Sequence, residues 1–240
     1  MTNSGWEVLL EQIPQILLVD SDPVLCRTLA GYLREHGFEV TVKHDGETGL
    51  FHATEDSYDL VMLNVTLPEL SGIEVLRRIR QQGELPVVML AAASDDVECI
   101  VGLELGADDY LAKSCNLREL VARLRSILRR TRRQTANGRM PRNEATGLSL
   151  SGADRSATWG GKLLPLTSTE FNLLQALFSQ AGRVVSKAEL AMSVLGREIG
   201  QHDRSLDMHI SNLRKKLGRL ADGRSPIQTV TGAGYQFIGK

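Results

Sequence analysis

Apolar runs alternate with amphipathic stretches along the first 130 residues of the chain. Runs such as "ILLV" and "LVML" are continuously apolar, which is typical of strands covered on both faces. The stretch after the first run begins with Asp22 as a helix cap and Pro23 in the first turn, and it ends at Gly37. Five such strands alternating with five helices predict an α/β doubly wound (βα)5 domain with a parallel sheet. The predicted strands are Ile16–Asp20, Phe38–Lys43, Leu60–Asn64, Val87–Ala91 and Tyr110–Lys113.

The pattern changes after a polar stretch at residues 131–146, which is rich in Arg, Asn and Thr. This stretch predicts a linker between a first domain at residues 1–130 and a second at residues 147–240. In the second domain, Thr167 and Glu170 have the spacing of a helix capping box. Short alternating segments before them, and a hairpin around residues 232–234 after them, predict an α+β domain. Its helices are predicted at about 168–180, 187–195 and 204–217, and its first strands at 148–150, 157–159 and 162–166.

Charge is distributed unevenly, although the whole chain has a net charge of only −1. Residues 1–117 have a net charge of −13, residues 118–145 of +7, and residues 146–240 of +5. An acidic half joined to a basic half indicates that the basic half binds nucleic acid.

Cysteine usage and the absence of targeting signals favour a cytoplasmic protein. Cys26, Cys99 and Cys115 form no CxxC pair and have no zinc-site spacing, so reduced thiols are expected. The first 20 residues lack the pattern of a signal peptide, and no apolar run has the length of a membrane span. The sequence shows no nucleophile–base pair or metal cluster, so we expect neither an enzyme nor a bound metal or cofactor.

Three long segments in each half resemble the OmpR/PhoB family of response regulators, from about Gln15 to Ile238. "ILLVDSDPVLCRTLAGYLREHGFEV", "DLVMLNVTLPELSGIEVLRRIR" and "GLELGADDYLAK" are similar to its receiver domain. "LTSTEFNLLQALFSQAGRVVSKAEL", "DRSLDMHISNLRKKLG" and "TGAGYQF" are similar to its winged helix-turn-helix domain. The resemblance implies a receiver with strand order 2-1-3-4-5 and a sequence-specific transcription regulator of a two-component system. It also implies double-stranded DNA, RNA polymerase and a second copy of the chain as partners.

The resemblance also places the receiver's phosphoryl pocket, and there this sequence departs from the family. A family receiver has an aspartate that accepts a phosphoryl group from a histidine kinase, with Mg²⁺ held by acidic residues. At the matching positions Asp20 and Lys113 are kept, Ser21 replaces the second acid, Asn64 replaces the acceptor, and Ala91 replaces the hydroxyl residue.

These substitutions remove the nucleophile, two of the charged oxygens that Mg²⁺ prefers, and a hydrogen-bond donor. We therefore expect a pocket without phosphoryl transfer, in which Asp20 and Lys113 form a structural ion pair. A cognate histidine kinase is then doubtful, although the switch aromatic is kept as Tyr110.

The helix predicted at residues 204–217 carries the candidate DNA-reading surface. Leu206, Ile210, Leu213 and Leu217 lie in one narrow sector, which predicts the buried face. The opposite face and its flanks carry Ser211 and the DNA-contact candidates. We expect Asn212 and Met208 to contact bases, and Arg204, Ser205, His209, Lys215 and Lys216 to contact phosphates. In the wing, Thr231 stands where the family often has Arg, and Tyr235 is a further candidate.

The resemblance further implies a dimer through the fourth helix, fifth strand and fifth helix of the receiver. Asp108, Asp109, Glu119 and Arg123 match the family's cross-subunit ion pairs, whereas Cys99 replaces a basic residue. The leading hypothesis is a dimeric transcription regulator that acts without phosphorylation. Two alternatives remain: a conventional regulator phosphorylated at a non-standard residue, and an interaction module that titrates a partner and binds DNA weakly.

Overall fold

A five-stranded parallel sheet forms the centre of the first domain. The computed structural model describes residues 13–92, 96–133, 147–152, 155–200 and 203–239. The strands pair in the order β2-β1-β3-β4-β5, and every pair is parallel, which confirms the predicted doubly wound fold. The strands are β1 Gln15–Val19, β2 Glu39–Lys43, β3 Leu60–Asn64, β4 Val87–Ala91 and β5 Asp109–Ala112.

Five helices cover the two faces of this sheet. The Asp22 carboxylate caps the first helix by accepting bonds from the main-chain N of Val24 (2.9 Å) and of Leu25 (3.1 Å). The fifth helix continues beyond residue 130, the predicted end of the domain. Residues 134–146 of the predicted linker, and residues 1–12, lie outside the described residues. The helices are α1 Pro23–Glu35, α2 Gly46–Glu55, α3 Gly72–Gln82, α4 Asp96–Glu104 and α5 Leu117–Arg133.

Two apolar clusters lie on opposite faces of the parallel sheet. Leu18 of the sheet packs with Leu33 of α1 and Leu124 of α5 on one face. Leu17 of the sheet is buried on the other face, in the cluster that α2, α3 and α4 cover. Burial of each large aliphatic side chain stabilises the domain by about 1.5–3 kcal/mol, so the sheet is a rigid platform for the groups at its edges.

The second domain packs helices between two small antiparallel sheets, with strand orders β6-β7-β8 and β10-β11-β9. The short strand β9 was not expected from the sequence; it pairs with β11, where Val185 lies opposite Tyr235. The helix predicted at 187–195 divides into α7 and a π-helical turn. The elements are β6 Leu148–Ser151, β7 Ser156–Trp159, β8 Lys162–Leu164, α6 Ser168–Ser179, β9 Val184–Ser186, α7 Lys187–Leu190, the π-helical turn Ala191–Leu195, α8 Ser205–Leu217, β10 Ile227–Val230 and β11 Gly234–Phe237.

The capping box at the start of α6 is confirmed, and it also ties α6 to α8. The Thr167 hydroxyl accepts a bond from the Glu170 main-chain N (3.3 Å), and the Glu170 carboxylate accepts one from the Thr167 main-chain N (2.8 Å). The same buried carboxylate accepts a bond from the Lys216 ammonium of α8 at 2.6 Å. This end of α6 is therefore fixed against α8.

The two domains contact each other along one surface, which we call the interdomain seam. It consists of α4, the beginning of β5 and part of α5 on the first domain, and of α6, the π-helical turn with the loop after it, and α8 on the second. Four residue pairs make its main polar contacts among the described residues. They are Thr169 with Asp108 (main-chain N to Oδ1 at 3.1 Å and Oγ1 to Oδ1 at 3.0 Å), Asn212 Nδ2 with the Leu103 carbonyl (2.9 Å), Arg197 Nη2 with Asp109 Oδ1 (3.4 Å) and Lys215 Nζ with Glu104 Oε1 (3.7 Å).

Candidate functional site

The carboxyl ends of the parallel strands gather the predicted pocket residues, as expected for an open α/β sheet. Asp20 follows β1, Asn64 ends β3, Ala91 ends β4, and Lys113 follows β5. Asp20, Asn64 and Ala91 are buried, whereas Ser21 is exposed. The structure therefore brings the acid, the amide and the lysine together, and Ala91 contributes only a methyl group.

The Asp20 carboxylate is fully buried, with an ion pair at one oxygen and two hydrogen bonds at the other. Lys113 Nζ lies 2.6 Å from Asp20 Oδ2. Asp20 Oδ1 accepts bonds from Asn64 Nδ2 (3.3 Å) and from the main-chain N of Asp22 (3.0 Å). A buried carboxylate costs little in stability when an ammonium and hydrogen bonds compensate it, so this group forms a closed ion pair.

The Asn64 side chain is held by its own loop. Its Nδ2 donates to the Thr66 carbonyl at 2.6 Å, and its Oδ1 accepts a bond from the Thr66 main-chain N at 3.4 Å. The lone pair of an amide nitrogen is delocalised into the carbonyl, so Asn64 offers no nucleophile for phosphoryl transfer.

The donor set does not fit the Mg²⁺ ion that the fold implies. Mg²⁺ requires hard, charged oxygens in octahedral geometry. Asp20 is the only carboxylate among the matched residues, and Lys113 already neutralises it. Across the described ranges, no three His, Cys, Asp or Glu residues form a group that could hold a metal ion.

Tyr110, the predicted switch aromatic, lies at the interdomain seam. Its half-buried ring packs against the first-domain cluster that also receives Met208 of α8. It lines a cavity of about 150 Å³ together with Arg123, Arg197 and Arg204. The aromatic side chain therefore lies between the parallel sheet of the first domain and α8 of the second.

The first domain covers much of the predicted DNA-reading face of α8. Asn212 is 5% exposed and donates its amide hydrogen to the Leu103 carbonyl, and Ser205 and His209 are 4% and 1% exposed. In this arrangement these side chains are covered, so their contact with DNA stays a prediction that requires the domains to separate. Helical periodicity predicts one buried face, and here a second face is buried by another domain.

The basic residues of α8 differ in how accessible they are. Arg204, which precedes α8, and Lys215 are exposed, and the Lys215 ammonium lies 3.7 Å from the Glu104 carboxylate. Lys216 is half-buried and bonds to Glu170, so a phosphate contact there would compete with an internal ion pair. Ser211 is half-buried.

The two wing candidates have different environments. Thr231 is exposed in the turn between β10 and β11. Tyr235 is 4% exposed, its hydroxyl donates to Asp207 Oδ1 at 2.5 Å, and burial together with this bond raises its pKa. Tyr235 packs in the core of the second domain, and its contact with DNA stays a prediction.

The residues predicted to form cross-subunit ion pairs are engaged within the chain. Asp108 and Asp109 are 1% and 3% exposed. Asp108 bonds Arg80 Nη2 at 3.0 Å, and Asp109 bonds Arg123 Nη1 at 2.9 Å. Glu119 accepts a bond from Arg123 Nε at 2.9 Å. In this arrangement the first two carboxylates face the chain's own second domain, and their part in a dimer stays a prediction.

The fold and these two sites define a class of protein: a regulator with a receiver-type domain followed by a winged-helix domain. Residues 16–125 match the family described as the response regulator receiver domain. Residues 161–237 match the family described as transcriptional regulatory protein, C terminal. The predicted order of the two domains is thereby confirmed.

Similar proteins narrow this class further. The transcriptional regulatory protein CpxR of Klebsiella pneumoniae subsp. pneumoniae is 45% identical over 228 residues, which are 93% of this chain and 98% of that protein. CpxR of Escherichia coli K12 is 44% identical, with the same coverage. The sequence of Asp207–Leu217 led us to expect this likeness. The chain belongs to the OmpR/PhoB family of response-regulator transcription factors, which are DNA-binding regulators and not enzymes.

Solved structures agree with the fold. A mutant form of RitR superposes with a TM-score of 0.76 at 24% identity, covering 95% of this chain and all of that chain. The response regulator DrrB of Thermotoga maritima, an OmpR/PhoB homolog, gives a TM-score of 0.50 at 29% identity with the same coverage. Within the described residues, no helix is long and apolar enough to cross a membrane.

Proposed function

We propose that this chain regulates transcription by sequence-specific binding to double-stranded DNA, and that its receiver works without accepting a phosphoryl group. The observation that carries the proposal is the Asp20–Lys113 ion pair at 2.6 Å, with Asn64 at the acceptor position beside it. In this pocket the acceptor is an amide, and the remaining acid is already neutralised. A histidine kinase therefore has no aspartate to modify at this position.

The state of the chain described above is closed to DNA. Asn212 and Met208, the candidate base contacts, face the first domain, so the domains must separate before α8 can enter a major groove.

Separation of the two domains also exposes the face formed by α4, β5 and α5. We infer that a second copy then binds there, with Asp109, Glu119 and Arg123 exchanging partners between subunits. RNA polymerase is the expected partner of the DNA-bound dimer.

The mass of the intact protein after incubation with acetyl phosphate and Mg²⁺ tests the first part. We expect no gain of a phosphoryl group in the wild-type chain. The variant Asn64→Asp should also stay unmodified, because the second acid and the hydroxyl are still missing. The triple variant Ser21→Asp, Asn64→Asp, Ala91→Thr is the matched positive control. A stoichiometric gain in the wild-type chain would support the conventional, kinase-driven alternative.

Binding of operator and random duplexes, with and without the phosphodonor, tests the second part. We expect specific affinity that does not change with the donor, and a dimer on DNA in sedimentation. The covered α8 surface favours one other candidate, a module that titrates a partner regulator. Failure to bind any duplex, even when the seam is disrupted by mutation, would favour that candidate.

A further inference from the structure

One buried histidine lies at the interdomain seam without the hydrogen bonds that such a group normally makes. His209 of α8 is 1% exposed. Within the described part of the chain, neither of its ring nitrogens makes a hydrogen bond of normal geometry, and the Asp108 main chain makes only a weak contact with the ring. Buried polar atoms are almost always paired, so this ring is an exception that needs an explanation.

The surroundings of His209 come from both domains. The main chain of Asp108 faces the ring from the receiver side, and the carboxylates of Asp108, Asp109 and Glu170 lie near it. Burial outweighs the attraction of these three acids, so the pKa of the His209 imidazole lies below its ordinary value.

None of the three acids is available as a free counter-ion for an imidazolium. Each carboxylate that faces His209 already bonds a cation from α3, α5, α8 or the loop after the π-helical turn. Arg155 lies near Asp108 as a further positive charge. The pairs are Asp108 with Arg80, Asp109 with Arg123 and Arg197, and Glu170 with Lys216.

We propose that His209 makes the packing of the two domains sensitive to pH, so that protonation of its imidazole separates them and frees α8. This inference rests on the function proposed above, because it names a signal that opens the DNA-reading face. When the domains separate, the cover provided by Asp108 and Asp109 is removed and water reaches this flank of the helix. The imidazole can then be hydrated in either protonation state.

The direction of the pH effect follows from linkage. The closed state binds a proton at His209 less tightly than the open state, whose imidazole has an ordinary pKa of about 6.5. The closed state is therefore favoured above that pH and is progressively lost as the pH falls below it. The ratio of open to closed molecules should rise by up to about tenfold per pH unit in that range.

X-ray scattering of the full chain from about pH 8 to about pH 5.5 tests the proposal. We expect the radius of gyration of the wild type to increase as the pH falls. The His209→Gln variant keeps a neutral side chain of similar size, and its radius should not change with pH. The His52→Gln variant, which removes a receiver histidine that bonds Asp56, is the matched control and should behave as the wild type.

A second measurement does not depend on how well the variant folds. Nuclear magnetic resonance titration of the wild-type chain should show a pKa for His209 below its ordinary value. In the double variant Thr169→Val, Arg197→Gln, which removes two seam contacts, the pKa of His209 should move toward 6.5. An ordinary pKa for His209 in the wild type, or equal pH profiles for the wild type and His209→Gln, would overturn the proposal.

The outcomes separate this inference from the proposed function. Suppose that DNA binding is specific and independent of a phosphodonor at all pH values, and that the chain does not open on acidification. This result would contradict only the proposed role of His209. If acid opened the chain but the opened chain did not bind DNA, the proposed function would be contradicted. The proposed pH response of His209 would still stand.

Discussion

The receiver pocket and the interdomain seam both bury carboxylates beside cations, but they differ in how far each arrangement extends. At the pocket, Asp20 is compensated by Lys113 and Asn64, so all the partners belong to one domain. At the seam, Asp108 and Asp109 bond Arg80 and Arg123 of the receiver and also Thr169 and Arg197 of the second domain. A change in the pocket therefore affects one domain, whereas a change at the seam alters how the domains are placed.

Removing one partner of the Asp20–Lys113 ion pair should produce the largest loss of stability. The variant Lys113→Met leaves the fully buried Asp20 charge uncompensated, and we expect a loss of about 3 kcal/mol in the free energy of unfolding. The double variant Asp20→Asn, Lys113→Met should recover most of that loss, because no charge remains buried. Urea unfolding measures both. Scattering should show no separation of the folded domains, and separation in the single variant would contradict the local character of this pair.

Weakening the seam should instead open the chain. The double variant Thr169→Val, Arg197→Gln removes the hydroxyl contact to Asp108 and the ion pair to Asp109. It also removes the bonds of Arg197 to Asp203 and Ser205, so the stability of the second domain is measured separately by urea unfolding. We expect the closed state to lose about 1–3 kcal/mol relative to the open state, and affinity for DNA to increase. Scattering and DNA titration near pH 8 measure the two effects. Unchanged affinity in a demonstrably open chain would show that the seam does not restrain DNA binding.

Asn212, which is covered by the first domain in the closed state, and the exposed Lys215 should show different DNA-binding defects when each is replaced by alanine. Asn212→Ala should cost about 1–3 kcal/mol at one base pair and relax the preference there, because the amide can pair with an adenine edge. Lys215→Ala should weaken binding to operator and random DNA alike and lower the magnitude of the salt slope by about one, because a lysine is a point charge suited to phosphate. Binding to both duplexes over a salt series measures this, and exchanged phenotypes would reverse the assignment.

The smallest effect is expected at the exposed edge of the seam. Lys215 Nζ and Glu104 Oε1 are 3.7 Å apart, and both side chains are largely in solvent. Exposed ion pairs contribute about 0–1 kcal/mol, so Glu104→Gln should shift the balance between closed and open molecules only slightly and only at low salt. A large opening in this variant would mean that long-range charge attraction, and not the buried contacts, holds the domains together.

The sequence was sufficient to predict most of the helices and strands and the residues that gather at the pocket. Apolar runs located the five parallel strands to within a residue or two, and the Thr167 and Glu170 spacing located the start of α6. Strand β9 was missed because three residues are too few to show alternation. The burial of Ser205, His209 and Asn212 was missed because helical periodicity within one segment contains no information about a second domain.

The bond from Asn212 to the Leu103 carbonyl has a consequence for how such regulators diverge. Its acceptor is a main-chain atom, so substitutions at position 103 leave the bond possible, whereas its donor is a side chain that we assign to base recognition. A lineage that altered operator preference through residue 212 would change the stability of the closed state in the same step. If the second domain were exchanged between relatives, the DNA specificity would be transferred. Part of the balance between closed and open molecules would be transferred with it.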